Sequence, residues 1–232
     1  MMARRQHGPL TVEEISKGLE ACIDNASALV LDAEVLMQAG RPTRALTCLL
    51  VTGQELGKIL YLQAMLTIGP NDADRWKQIW KAFYNHSSKA SGGLLALLDP
   101  NTSVSEVGQS AYLNSMLGGT AEQERNRTLY VDFDDRDRSW SAPIGNGSNM
   151  AGPLLHLTQQ ALAPLLSNRQ VGLHSPIALE IIREVFTSNP ILDVPDSKAP
   201  ADPVILAKLL QESLDRNEII GQRLRERGFD IA

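Results

Sequence analysis

The chain has 232 residues, 43% of them hydrophobic and 21% charged, enough apolar matter for a sizeable core in one large domain or two small ones. A formal net charge of −5 argues against a general nucleic-acid coat, although a local basic cleft depends on how charge is distributed rather than on its sum. Two cysteines, Cys22 and Cys48, are too few for a disulfide framework, and both fall in apolar helical patterns, as buried reduced thiols do.

Thr11-Val12-Glu13-Glu14 is a capping-box sequence, and behind it Val12, Ile15, Leu19, Cys22, Ile23, Ala26, Leu29, Ala33, Leu36 and Met37 keep a helical period. Gly40-Arg41-Pro42 ends this helix and starts the next, with Pro42 suited to a first helical position. The second helix carries Leu46, Leu49, Leu50, Leu56, Leu60 and Leu62 until Gly69-Pro70-Asn71-Asp72 breaks it. A third helix is predicted from Ala73 to at least Lys89, with a weaker continuation through Gly92-Gly93 to Leu98 before Asp99-Pro100. Trp76, Ile79, Trp80 and Phe83 form its apolar stripe; Lys77, Lys81 and Lys89 carry charge elsewhere on it, and His86 flanks the stripe.

Ser103-Val104-Ser105-Glu106 opens a short predicted helix to about Leu117, and 120–127 adds a turn or two. Leu129-Tyr130-Val131-Asp132-Phe133 reads as extended, and Asp134 to Asn149 as an irregular loop. The acids Asp132, Asp134, Asp135 and Asp137 alternate with Arg136 and Arg138, which suits an ion-paired or solvated loop better than a metal site. Three more helical patterns follow, roughly Met150–Leu166, Pro176–Thr187 and Pro203–Arg227. The expected class is all-α, with a joint around 130–150. There is no apolar run of about 18 residues and no apolar segment behind Arg4, Arg5 and His7, so neither a membrane span nor a signal peptide is expected, and a cytoplasmic protein is the simplest reading. The histidines and cysteines show no metal-ligand spacing, and no cofactor or metal is expected.

Residues 18 to 143 resemble the AbiV family of bacterial abortive-infection proteins, part of the HEPN superfamily of helical bundles. Four pieces carry the resemblance: the first helix, Ala28 to Ala39, with Gly40-Arg41-Pro42-Thr43-Arg44-Ala45; Gln54-Glu55-Leu56-Gly57-Lys58; Trp80 through Phe83 and His86 to Lys89; and Leu129-Tyr130-Val131-Asp132 followed by Trp140 and Pro143. The expected architecture is a HEPN-like bundle over residues 10–128, a connector over 129–149, and a C-terminal helical extension over 150–232, either packed on the bundle or separate. Two positions depart from the family pattern. Gln54 stands where a glutamate is usual. The superfamily's ribonuclease signature has an arginine four to six residues before the histidine, whereas five before His86 is Lys81. Arg75 lies eleven residues before His86, about 16 Å along a helix, and cannot fill that place.

The resemblance implies an antiphage effector, a HEPN-type metal-independent ribonuclease or translation inhibitor acting as a homodimer on RNA, with a phage-derived protein as a possible activator. Such cleavage needs a base for the ribose 2′-proton, an acid for the leaving oxygen and a cation for the phosphate. His86, Lys81 and Asn85 are the candidate catalytic residues; Glu55, Lys58, Lys89 and Lys77 are candidates for holding phosphate or orienting the others. On one continuous helix Lys81 and His86 point about 140° apart, which agrees with a site shared between two protomers. For Glu55 and Lys58 a plain intrahelical ion pair is the alternative, and for Lys77 and Lys81 a solvated face. His156 and His174 have no partner base, nucleophile or cation in their sequence context. The competing function is a non-catalytic helical module that sequesters a protein or RNA partner. A further possibility makes 150–232 a sensor for the infection signal.

Overall fold

The computed structural model describes residues 8–86, 88–90, 123, 125–126, 128–129, 132–134, 139–141, 147–188 and 203–231; for 132–134, 139–141, 147–148 and 203–214 the backbone alone is described. The predicted helix at 103–117, the weak continuation to Leu98 and the acidic stretch 135–138 lie outside these residues.

Helix α1, Val12–Gln38, begins at the predicted capping box: the Thr11 amide donates to Glu14 Oε2 at 2.8 Å, and the Glu14 amide donates to Thr11 Oγ1 at 3.2 Å. It ends in a Schellman arrangement. Gly40 takes φ +70°, its amide donates to Met37 O at 3.0 Å, and the Arg41 amide donates to Leu36 O at 2.8 Å. Helix α2, Pro42–Met65, starts immediately with proline in its first turn, so the two helices form an antiparallel hairpin. Their close approach depends on Gly18, where an added Cβ would lie 3.1 Å from Leu62 Cδ1. Ile15, Leu19, Ile23, Leu46, Leu49, Leu56 and Ile59 fill the seam and are almost completely buried.

Helix α3, Ala73–Tyr84, starts on Asp72, whose Oδ1 accepts from the Arg75 amide at 3.1 Å. It stops at Asn85, four residues short of the predicted end. Asn85 adopts φ −82° and ψ 123° and caps a new helical turn: its Oδ1 accepts from the Ser88 amide at 2.9 Å and its carbonyl from the Lys89 amide at 3.0 Å. The single helix through Lys89 is therefore corrected to two helical pieces joined at Asn85. The 140° separation of Lys81 and His86, which assumed one helix, falls with it. The cause is local: asparagine competes for backbone donors and prefers a cap to a helix interior.

Within the predicted connector, strands β1, Asp132–Asp134, and β2, Ser139–Ser141, pair antiparallel with Phe133 opposite Trp140. The extended segment thus starts later than predicted, since Thr128 and Leu129 are helical, and the irregular loop contains a short hairpin. These six residues aside, the described chain is helices and turns. Helix α4, Gly147–Gln170, runs antiparallel to α1: Gln159 Nε2 donates to Glu34 Oε1, and Arg169 reaches back to Glu20 and Asp24, each at 2.6 Å. Helix α5, Pro176–Ser188, follows a turn in which Ser16 Oγ donates to His174 O at 2.6 Å. Helix α6, Pro203–Glu226, closes a smaller cluster of Ala178, Ile181 and Leu224. Ala151, Leu162 and Leu179 belong to the same core as α1 and α2. Among the described residues, no helix is long and apolar enough to cross a membrane.

Candidate functional site

One stripe of α2 carries Gln54, Lys58 and Tyr61, at helical spacings of four and three, with Glu55 beside them. This stripe faces the helical turn that Asn85 starts. Tyr61 donates its hydroxyl to Ser88 O at 3.0 Å, anchoring the turn to α2, and burial pushes the phenol up. Gln54 Oε1 lies 3.1 Å from His86 Nδ1. With Gln54 Oε1 as the acceptor, this is the bond that the Nδ1–H form of the ring makes, the form whose Nε2 faces away from Gln54. Gln54 itself is buried, whereas His86 is exposed. A buried amide thus holds the ring of an exposed imidazole.

Behind His86 is a cluster of buried charge. Glu55 is 6% exposed and accepts both hydrogen bonds from Lys58 Nζ, at 2.7 and 2.9 Å. Lys89 is 8% exposed. Both lysines and Glu55 act on the Cys22 thiol of α1, which is pushed up to about 12 by burial, with the Glu55 carboxylate adding through charge and hydrogen bond against the two ammonium groups. Cys22 is therefore a neutral thiol and a poor nucleophile, matching the predicted buried thiol. Cys48 is also free, and burial pushes it up too.

The predicted site residues divide into two groups. Glu55, Lys58 and Lys89 converge within the bundle, next to the Gln54–His86 contact. Lys77 and Lys81 are exposed on α3, on the far side of the Asn85 break. Asn85, a candidate catalytic residue, caps the turn with its side chain, its Oδ1 accepting from the Ser88 amide. The glutamine noted as a departure is the residue that touches the histidine, and Cys22, read as core, completes the charged cluster. The sequence held one sign of the first: Gln54, Lys58 and Tyr61 recur on one face of an otherwise apolar helix. His156 is exposed on α4, while His174 is buried between α1 and α5. Among the described residues no group of three or more His, Cys, Asp or Glu side chains could hold a metal ion.

The described residues form a helical bundle, as expected of the helical HEPN superfamily. Residues 14–147 match the AbiV family model of that superfamily, and the chain belongs to the AbiV family of abortive-infection proteins. No curated protein and no solved structure matches the chain.

Proposed function

We propose that the protein is an antiphage effector that cleaves RNA without a metal, as a homodimer, with His86 moving the proton. The observation that supports this is the Gln54 Oε1–His86 Nδ1 contact at 3.1 Å; a proton on Nδ1 in that bond would leave Nε2 as a base toward the substrate. Nε2 takes the 2′-proton as the 2′-oxygen bonds to phosphorus. The P–O5′ bond then breaks, and the leaving oxygen takes the Nε2 proton of an imidazolium His86 in a second copy, so that one ring gains a proton as the other loses one, giving a 2′,3′-cyclic phosphate and a 5′-hydroxyl. His86 is exposed at the start of its helical turn, where a second protomer has access to it. Glu55, Lys58 and Lys89 hold the α2 surface against that turn rather than touch substrate. Incubation with cellular RNA in EDTA tests this: wild type should leave cyclic phosphate ends and His86→Ala should leave RNA intact at equal oligomeric state.

Sequestration of a protein or RNA partner is the second reading. In its favour, the Glu55–Lys58 pair is closed on itself and Lys81 lies across the Asn85 break from His86. Under sequestration, His86→Ala blocks phage growth as well as wild type does.

A further inference from the structure

Lys77, Lys81 and Tyr84 follow one another on α3 at spacings of four and three, so they share one face, and all three are exposed. Asp74 and Gln78 are also exposed on these turns, with Asp74 at the end away from His86. Tyr84 is 56% exposed yet fixed. Its ring stacks on Trp80 at 5.7 Å between centroids and 18° between planes, and meets Phe83 edge-on at 5.6 Å. Trp80 is pinned in turn by its Nε1–H bond to Gly8 O at 3.1 Å and by contact with the core. An aromatic ring held rigid at the surface offers contact area that costs little ordering on binding. Tyr84 also sits two residues before His86, so the two Cα atoms are at most about 7 Å apart.

We propose that this face of α3 is a track for single-stranded RNA, in which Tyr84 stacks the nucleobase beside the scissile phosphate and Lys77 and Lys81 hold backbone phosphates further along. The placement of the scissile phosphate rests on the nuclease function assigned to His86; the binding itself does not. Two cations spaced one helical turn apart, about 6 Å, beside an exposed ring suit a flexible strand with unstacked bases. A duplex hides the base faces that Tyr84 would take, which sets the preference for single strands.

A fluorescently labelled 2′-O-methyl oligouridylate separates binding from cleavage, because it has no 2′-hydroxyl to attack. Wild type should bind it, Tyr84→Phe should bind within about twofold, and Tyr84→Leu should bind about tenfold more weakly. Lys77→Gln with Lys81→Gln should flatten the slope of log affinity on log salt by about 1.4, the value for two single-strand phosphate contacts. Equal binding by Tyr84→Leu and wild type overturns the track, as does failure of wild type to bind. A Tyr84→Leu protein that changes oligomeric state on sizing also overturns it, by showing the face to be a protein interface. Binding that depends on Tyr84, without cleavage of unmodified RNA, keeps the track and removes the nuclease function instead.

Discussion

The two sides of the 85–89 segment treat lysine in opposite ways. On the α2 side, Lys89 is drawn into the bundle, and the partly buried Lys58 closes on Glu55 at 2.7 Å. On the α3 side, Lys77 and Lys81 stand exposed around a stacked tyrosine. All four were candidates for holding phosphate, yet burial separates them. A charge taken out of water needs an opposite charge and hydrogen bonds, so it becomes part of the scaffold, while one left in water remains available to an anionic ligand. On the function proposed above, the inner cluster positions and the outer face binds.

The sharpest way to break that division is to remove the inner carboxylate. Glu55→Ala leaves Lys58 without its counter-charge and should cost about 3 kcal/mol in denaturant unfolding. Lys81→Gln, on the outer face, should leave stability within about 0.5 kcal/mol. Equal costs for the two would erase the distinction. The C-terminal helices are tested in the same way. Leu162→Ala, in the core shared with α1 and α2, should cost about 3 kcal/mol and keep one cooperative transition. Two separate transitions would make 150–232 an independent unit.

Gln54 joins the two sides. Gln54→Leu removes the acceptor for His86 Nδ1 and should lower cleavage about tenfold with little change in stability, which single-turnover rates would show. Gln54→Glu puts a carboxylate there, favours the imidazolium, and should move the acid limb of the pH–rate profile to higher pH.

The smallest effect concerns His174, which touches neither side. It is 5% exposed, and its Nδ1 lies 3.8 Å from Glu20 Oε1, too long for a hydrogen bond. Burial pushes its imidazole down, Glu20 opposes this, and Arg169 adds to it. The folded chain therefore favours the neutral ring, while the unfolded chain takes up a proton near pH ~6.5. The stabilisation is complete above that pH and is lost as pH falls through the lower folded-state value. Unfolding midpoints between pH 7.5 and 5.5 should drop for wild type and drop less for His174→Gln.

Much of the fold was legible because its signals are local. The Thr11–Glu14 box, the Gly40–Pro42 punctuation and the apolar stripes of α1 and α2 are written within a few residues, and the helices form where they indicate. The Asn85 break was missed because the aromatic stripe of α3 keeps its period right up to Phe83, and periodicity does not register a side chain that caps the next turn. The site was half legible. His86, Glu55, Lys58 and Lys89 were named from the chain, but Gln54 meets His86 from 32 positions away. Cys22 meets Glu55 only through the register of α1 on α2, which no local pattern encodes.

The most direct test of His86 as the centre of chemistry is cleavage of cellular RNA by wild type and His86→Ala in EDTA, read by the ends produced. Wild type should leave 2′,3′-cyclic phosphates, and the variant should be slower by at least about a hundredfold. Equal rates and equal ends from both proteins, folded and alike in oligomeric state, would contradict it.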